Sequence, residues 1–334
     1  MRYNTEISAL GLALLFGIST ATIASGAELS KVRFAQSGHT AASWPIYVAE
    51  QKKIFEKNGI HFENIIIQGA TNTTRAVLSE TIPLGRINPD YVIGAIEKGA
   101  KVRIIGGNME KIPYDFMARS EIKSGAELKG KTIGVSTLTG GTTNMVEEVL
   151  LRGFKLKPGE YKYLVVGTSP ERYAALKAGS VQATFMGPPF NFRAQQDGFT
   201  KLITFHEILG PIQFTADFAH MNYLKSNRNE VVRYLKSMIE ATNWLYDTKN
   251  KEEALAIHMK ILKSKRDIAE QDYKYLVEEF QPFPRNGAVN KAAMEKTIDL
   301  RAKEGTYKGK KVPAYTEYVD SSFVEEAQKL AGVK

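Results

Sequence analysis

Hydroxyl-bearing residues and glycines are concentrated in one stretch of the chain that could bind an anion. The run LKGKTIGVSTLTGGTTNMVEEVLLRGF occupies residues 128–154, and Thr132 to Val135 within it predict a short buried strand. Apolar residues then recur at helical spacing, and Gly153 is expected to end that helix. A helix N-terminus after such a loop presents unpaired N–H groups and a partial positive charge, which suit a carboxylate, sulfonate or phosphate. An ordinary, well-capped turn is the alternative. The candidate ligand contacts in this loop are Thr137, Thr139, Gly140, Gly141, Thr142 and Thr143.

A second candidate for anion binding is a cation that directly precedes a predicted helix start. Asn88 is expected to cap the helix, Pro89 to occupy its first position and Asp90 to interact favourably with its dipole. Arg86 precedes this cap by two residues, so its guanidinium and the helix N-terminus would converge on one anion. The alternative for Arg86 is a surface ion pair with Asp90. Arg86 and Asn88 are therefore candidate ligand contacts.

Three further side chains are candidates with a clear structural alternative. Trp44 lies in the loop GHTAASW after the first predicted strand, where its ring could cover a ligand or merely fix the entry into the next helix. His39 in the same loop could donate a hydrogen bond to a ligand or stay solvated. Asp217 lies on a later extended segment, and it could bind an ammonium or hydroxyl group, although a hydrogen bond within a hinge is the favoured interpretation.

Motifs for enzyme chemistry are missing from the sequence. The chain has no cysteine, and its five histidines show no paired arrangement. Neither G-x-S-x-G nor H-E-x-x-H occurs. We therefore predict no catalytic residue, no metal site, no cofactor and no enzymatic activity.

The elements that must position these residues alternate between strands and helices. Helices of about ten residues separate strands that are predicted at 32–35, 62–67, 82–84, 102–105, 132–135, 163–166, 181–186 and 202–205. This alternation indicates βαβ units and largely parallel sheets. Ser169 is expected to cap the helix that precedes the seventh strand. After Asn227 the pattern predicts helices at 230–248, 251–263, 267–280 and 290–303, which form a helical C-terminal layer.

Two extended segments, at 114–119 and 212–221, divide the α/β part into two blocks, the second inserted into the first. We predict a bilobal α/β protein with lobe 1 formed by residues 28–115 and 215–334 and lobe 2 formed by residues 116–214. The two crossings would act as a hinge over a cleft. Because ligands of such sheets bind beyond the carboxyl ends of the strands, the loops after several strands would face one another across that cleft.

The N-terminal residues 1–27 are expected to be a signal peptide. Ile7 to Ala24 form an apolar segment that is short for a membrane span, and Ser25-Gly26-Ala27 offers a cleavage site, whereas an uncleaved anchor is the alternative. Without cysteine we expect neither disulfides nor a lipid anchor, which together point to a Gram-negative periplasm. The formal net charge of +9 is scattered rather than clustered. It argues against a nucleic-acid partner and permits an anionic small ligand.

Four segments of the chain carry a resemblance to a known family. They read PIYVAEQKKIFEKNGI, AIEKGAKVRIIGG, SEIKSGAELKGKTIGVSTLTGGTT and ERYAALKAGSVQATFMGPPF. In these segments the chain resembles the nitrate/sulfonate/taurine-type solute-binding proteins of ABC importers, which include relatives that bind thiamine-pyrimidine precursors. The resemblance implies a periplasmic-binding-protein type II fold. It also implies ligand contacts after the second strand and in a turn of lobe 2, at Gly69, Ala70, Thr71, Gly187 and Pro188.

We therefore expect a periplasmic substrate-binding component of an ABC transporter that captures a small, anionic, sulfonate- or carboxylate-like organic solute between its lobes. Its partners would be that ligand and an importer permease with its cytoplasmic ATPase, and the protein would be a monomer. The alternative is an exported small-molecule sensor that signals to a membrane kinase. Sulfonates, aromatic or aliphatic carboxylates and pyrimidines all stay open as ligands.

Overall fold

Two five-stranded mixed sheets organise the chain in a computed structural model that describes Met1 and residues 28–138, 141–303 and 305–333. The predicted signal peptide beyond Met1 and the candidate contacts Thr139 and Gly140 lie outside these residues. The strands are β1 Ser30–Gln36, β2 Ile60–Ile66, β3 Leu84–Ile87, β4 Val102–Met109, β5 Asp115–Ala118, β6 Thr132–Val135, β7 Lys162–Val165, β8 Ala183–Met186, β9 Thr200–Thr204 and β10 Thr215–His220.

Helices connect and cover these strands. They are α1 Trp44–Gln51, α2 Ile54–Lys57, α3 Ala70–Leu78, α4 Pro89–Glu97, α5 Thr142–Phe154, α6 Ser169–Ala178, α7 Phe190–Gln196, α8 Phe205–Leu209, α9 Met221–Ser226, α10 Arg228–Tyr246, α11 Lys251–Leu262, α12 Arg266–Tyr273, α13 Lys291–Lys303 and α14 Ser322–Ala331. Short 3₁₀ turns lie at Ala41–Ser43, Gly125–Leu128, Thr248–Asn250 and Tyr315–Glu317, and a π-helical segment at Lys274–Glu279 follows α12. The predicted α/β class with a helical C-terminal layer is confirmed.

The two sheets share one topology. Their strand orders are β2-β1-β3-β10-β4 and β7-β6-β8-β5-β9. Within each sheet four strands point in one direction, whereas β10 and β5 run antiparallel to both of their neighbours. The register places Asp217 of β10 opposite Arg86 of β3, which matters for the site below.

Two crossings connect the sheets, and they hydrogen-bond to each other. The amide of Phe214 donates to the carbonyl of Met109 at 2.8 Å, and that of Phe205 donates to Tyr114 at 2.8 Å. The segments predicted to be extended, 114–119 and 212–221, therefore largely form strands β5 and β10 inside the sheets, and the crossings precede these strands. The lobe boundaries stay a prediction, and we use "lobe 1" and "lobe 2" for the residue ranges defined above.

Several predicted helix boundaries are wrong for identifiable reasons. Gly153 lies inside α5, where a Cβ would approach Ile208 of α8 to 3.3 Å, and the helix ends at Lys155, whose φ is 60°. Thr168, not Ser169, caps α6, because its side chain and that of Glu171 form a reciprocal capping box. The helix predicted at 267–280 changes to π-helical geometry after Tyr273.

The helical layer packs on lobe 1 through α10, which contacts α1 and α14. The rings of Phe55 and Phe62 stack there with their centroids 4.0 Å apart. The ring centroid of Tyr234 in α10 lies 5.4 Å from that of Phe34. Tyr234 is buried, so α10 brings a hydroxyl group to the sheet that contains β3 and β10. Within the described part of the chain, no helix combines the length and apolar character that a membrane crossing requires.

Candidate ligand-binding site

A cavity of about 320 Å³ lies between the two lobes. Its walls are the loops that follow β1, β2 and β3 in lobe 1 and β6 and β7 in lobe 2, together with the crossing residues Tyr114, Phe214 and Thr215. This is the edge where the carboxyl ends of the parallel strands meet. Seven of the candidate contacts line the cavity, namely Gly69, Ala70, Thr71, Arg86, Asn88, Thr137 and Thr142.

Arg86 on β3 contributes a buried cation to this cavity. Its Nε and Nη2 donate to the two carboxylate oxygens of Asp217 at 2.6 and 2.9 Å, and Tyr234 donates to the same carboxylate at 3.0 Å. Burial opposes the charge of Arg86, but the neighbouring Asp217 outweighs it and the pKa of Arg86 is raised. No acceptor among the described residues bonds to Nη1 of Arg86. The alternative pairing of Arg86 with Asp90 is not formed.

Arg172 on α6 contributes a second cation from lobe 2. It is 1% exposed, and it donates to the carbonyl of Phe185 at 2.8 Å, to Ser136 Oγ at 2.7 Å and to the carbonyl of Gly167. Across the described residues, no carboxylate hydrogen-bonds to this guanidinium. Burial lowers the pKa of Arg172, although an arginine still carries its charge at neutral pH. The hydrogen bonds of Arg172 therefore go to neutral acceptors, and the charge of Glu171 acts on it without a direct hydrogen bond.

The remaining walls combine hydroxyl and amide groups with three aromatic rings. Asn88 fixes the position of α4, because its Oδ1 accepts from the amide of Asp90 at 3.0 Å and its Nδ2 donates to the carbonyl of Phe214 at 3.0 Å. The predicted cap at Asn88 is thus confirmed. Rings of Tyr91, Tyr114 and Phe214 also line the cavity, and Tyr114 and Phe214 meet edge to face at 4.8 Å.

Trp44 does not line the cavity, and the expectation that it covers a ligand needs correction. Its side chain is 0% exposed and packs 4.5 Å from the ring of His258 and 6.0 Å from that of Tyr273. The 3₁₀ turn Ala41–Ser43 places Trp44 at the first position of α1, so its ring packs against the helical layer. The structural alternative for Trp44 is therefore the one that the geometry supports.

Four other candidates lie beside the cavity rather than on its wall. His39 lines an adjoining depression, and burial lowers its pKa. Asp217 is 1% exposed and is paired with Arg86, which agrees with a structural hydrogen bond rather than a ligand contact. Gly187 packs against Tyr114, which a Cβ would approach to 3.0 Å, and the carbonyl of Pro188 accepts from the amide of Ala41 at 3.3 Å.

The loop before α5 is used differently from the prediction. The amide of Gly141 donates to Asp90 Oδ2 of lobe 1 at 2.6 Å, so a carboxylate of the chain itself occupies this helix N-terminus. Thr143 is fully buried and donates to the carbonyl of Thr137 at 2.7 Å. Gly141 and Thr143 are therefore not cavity contacts, whereas Thr137 and Thr142 of the same loop are.

Arg172 was missed because it stands in a sequence that reads as an ordinary helix start. Thr168, Pro170 and Glu171 account for the cap, and Arg172 then looks like a surface residue. One signal was present. A cation in the first turn of a helix is unfavourable against the positive end of the dipole, so such a residue indicates another source of stabilisation.

Comparison with known proteins identifies the family. The family described as NMT1/THI5-like matches residues 40–252, which is more than half of the chain. The chain belongs to this family. The matched range includes residues of both lobes, among them Arg86 and Arg172.

Individual relatives of this NMT1/THI5-like chain are distant. YtlA of Bacillus subtilis (strain 168) is 26% identical over 235 residues, 69% of this chain and 70% of that protein. The nitrate/nitrite binding protein NrtA of a Nostoc species is 23% identical over 237 residues, 64% of this chain but only 53% of the longer relative. The structure of the alkanesulfonate-binding protein SsuA from Xanthomonas axonopodis pv. citri, bound to MOPS, matches with a TM-score of 0.68 and 17% identity, covering 90% of this chain and 98% of that one. The structural match confirms the periplasmic-binding-protein fold.

Proposed function

We propose that this chain is the periplasmic substrate-binding component of an ABC importer and that it captures a small organic anion between its lobes. The proposal rests chiefly on one observation, namely that each lobe presents a buried arginine to the same cavity. No carboxylate lines that cavity among the described residues. Asp217 hydrogen-bonds to Arg86, whereas no carboxylate of the described chain hydrogen-bonds to Arg172, so a ligand anion would supply that direct counter-charge.

The energetics favour an anionic ligand. A buried cation that lacks a counter-charge pays a desolvation cost, which a bound anion recovers. Arg86 Nη1 still lacks an acceptor, and an oxygen of the ligand would supply one. Hydrogen bonds of this charged kind contribute about 1.5–3 kcal/mol each. Two such contacts, one from each lobe, would make binding depend on closure of the cleft.

The size of the cavity supports an organic rather than an inorganic anion. Its volume of about 320 Å³ lies in the range of pockets that take organic ligands, about 300–1,000 Å³. A nitrate ion would leave most of this space empty. The rings of Tyr91, Tyr114 and Phe214 offer apolar surface to the remainder of a larger ligand. Among the relatives, SsuA is named for alkanesulfonates and was solved with the organic sulfonate MOPS.

A thermal-shift screen with charge-matched pairs tests the ligand class. Each anion is compared with a neutral compound of similar shape, for example benzoate with benzamide and benzenesulfonate with benzenesulfonamide, and nitrate is added as the small anion. We expect organic anions to raise the melting temperature, because a ligand at one hundred times its dissociation constant stabilises the folded state by about 2.7 kcal/mol. A strongest ligand that is neutral or cationic would overturn the anion assignment and leave the family and the fold untouched.

Import would work by a shift between open and closed forms. Arg172 of lobe 2 and Arg86 of lobe 1 reach one ligand only when the cleft is closed, so the ligand would favour the closed form. Small-angle scattering should then show a smaller radius of gyration once a ligand from the screen saturates the protein. An unchanged radius at saturation would argue against ligand-driven closure.

Export and the transport partner need separate tests. The proposed mature chain begins near Glu28, and the intact mass of secreted protein would show whether residues 1–27 are retained. A permease and an ATPase encoded beside this chain would support import, whereas an adjacent histidine kinase would support the alternative sensor. Stimulation of the importer's ATPase by the ligand-loaded protein is the decisive result for transport. The proposal of a non-enzymatic, monomeric receptor predicts recovery of the bound compound unchanged.

A further inference from the structure

A carboxylate of lobe 1 spans the cleft to the backbone of lobe 2. Asp90 Oδ2 accepts the Gly141 amide at 2.6 Å, where α5 begins, and α5 is thirteen residues long. A helix N-terminus of this length attracts negative charge, so the contact combines a charged hydrogen bond with a favourable dipole interaction. A second hydrogen bond of 3.2 Å joins Tyr91 and Thr137 across the same interface.

The backbone at Gly141 is shaped for this contact. Gly141 has φ 54° and ψ −126°, a backbone conformation that residues other than glycine rarely adopt. A Cβ on Gly141 would approach the ring of Tyr91 in the opposite lobe to 2.2 Å. The two lobes can therefore meet here only because residue 141 is a glycine. Neither Asp90 nor Gly141 lines the ligand cavity.

Contacts within lobe 1 hold Asp90 in position. Arg301 of α13 donates to Asp90 Oδ1 at 2.8 Å and to Glu97 Oε2 at 2.7 Å. The amide of Asp90 is bonded to the cap Asn88, so its backbone is also fixed. The side chain of Asp90 is 8% exposed. Because Arg301 and Asn88 belong to lobe 1, this arrangement does not depend on closure.

We propose that Asp90 and Gly141 form a latch that stabilises the closed form in the absence of ligand. This inference goes beyond the proposed function, since it concerns the equilibrium between open and closed lobes and no ligand chemistry. Asp90 is a positioning residue in this scheme. The latch raises the population of the binding-competent form, so its loss weakens the apparent affinity for every ligand by one common factor.

Interlobe distances in the ligand-free protein test the latch. The chain has no cysteine, so a K98C/L151C pair carries two spin labels at defined places, one on each lobe. Lys98 and Leu151 are both exposed, and neither lines the cavity. We expect pulsed electron–electron double resonance of the unliganded protein to show a closed distance that matches the structure beside a second distance from the open form. Asp90→Asn should reduce the ratio of closed to open protein about ten- to a hundredfold, as expected for a charge-assisted hydrogen bond.

Two further variants separate the latch from a general effect on folding. Glu97→Gln neutralises the other carboxylate that binds Arg301, on the same helix but within lobe 1, and should leave the distance distribution unchanged. Gly141→Ala disrupts the latch from lobe 2, because the added Cβ would collide with the ring of Tyr91, and it should favour the open distance. This variant tests the latch independently if the Asp90 variant fails to fold. The proposal is overturned by an unliganded wild type without the closed distance, or by latch variants whose distances equal those of Glu97→Gln. None of these distance measurements requires an anion, so a result that overturns the latch leaves the proposed function unaffected.

Discussion

Replacement of Arg172 by glutamine is the sharpest perturbation of the proposed site. The substitution removes a full positive charge that, in the described part of the chain, is hydrogen-bonded only to neutral acceptors. An anionic ligand would lose one charge-assisted hydrogen bond, about 1.5–3 kcal/mol, so the dissociation constant should rise about ten- to a hundredfold. The buried carbonyl of Phe185 also loses its donor, which should cost about 1–3 kcal/mol of folding free energy.

Affinity and folding must therefore be measured separately for this variant. Calorimetric titration with the strongest anion of the screen gives the affinity, and unfolding in urea gives the stability without added salt. Arg193→Gln is the matched control, because Arg193 also donates to backbone carbonyls, at 3.2 Å from Leu262, but does not line the cavity. The reasoning is refuted if Arg172→Gln binds the anion as tightly as the Arg193→Gln control. Arg172→Lys keeps the charge and should fall between the two.

Three further outcomes follow from the same structure. Arg86→Ala leaves Asp217 buried without its cation and should destabilise the fold by about 3–5 kcal/mol. The double variant with Asp217→Asn should recover part of the stability in urea but not the affinity for the anion. Recovery of both quantities would contradict a contact between Arg86 and the anion. Trp44→Ala should cost about 3–5 kcal/mol of unfolding free energy while the folded protein keeps its affinity, which denaturation and titration together would check. Burial raises the pKa of Glu50 from 4.5 to about 7, so the folded state holds its proton more tightly than the unfolded state, and stability should fall as the pH rises from about 4.5 to about 7, by at most about 3 kcal/mol. Glu50→Gln should remove this loss, and equal slopes for the two proteins between pH 4.5 and pH 8 would contradict the assignment.

Local patterns in the sequence were sufficient to predict the elements and their order. Strand β6 was predicted with its observed bounds, and the cap Asn88 with Pro89 behind it begins α4 as expected. These features depend on propensities and on hydrogen bonds between residues a few positions apart. Boundaries of single elements were less predictable. Gly153 lies inside its helix, and Ile208 of α8 is so close that a Cβ there would approach it to 3.3 Å.

The site could be predicted in part, since loops after parallel strands must gather at one edge of a sheet. That rule is a property of the topology, and it agrees with the position of Arg86, Asn88 and Thr137 on the cavity wall, whereas the loop 69–71 was expected there from the family resemblance. It could not distinguish a side chain that points into the cleft from one that points into the core. Trp44 and Arg172 show the two consequences, because Trp44 is a core residue that was taken for a ligand contact and Arg172 is a cavity residue that the sequence did not single out.

By itself the sequence determined the α/β class, the two blocks and the edge at which a ligand would bind, because each follows from periodicity, caps and chain order. Only the tertiary structure decided which charges neutralise each other. Asp217 and Arg86 are 131 positions apart, yet the antiparallel entry of β10 places them opposite each other. Asp90 similarly fills the helix N-terminus that the sequence offered to a ligand. Electrostatic pairing depends on distance in space, which no local pattern contains, and of the two arginines on the cavity wall it leaves Arg172 as the one that no carboxylate of the described chain hydrogen-bonds.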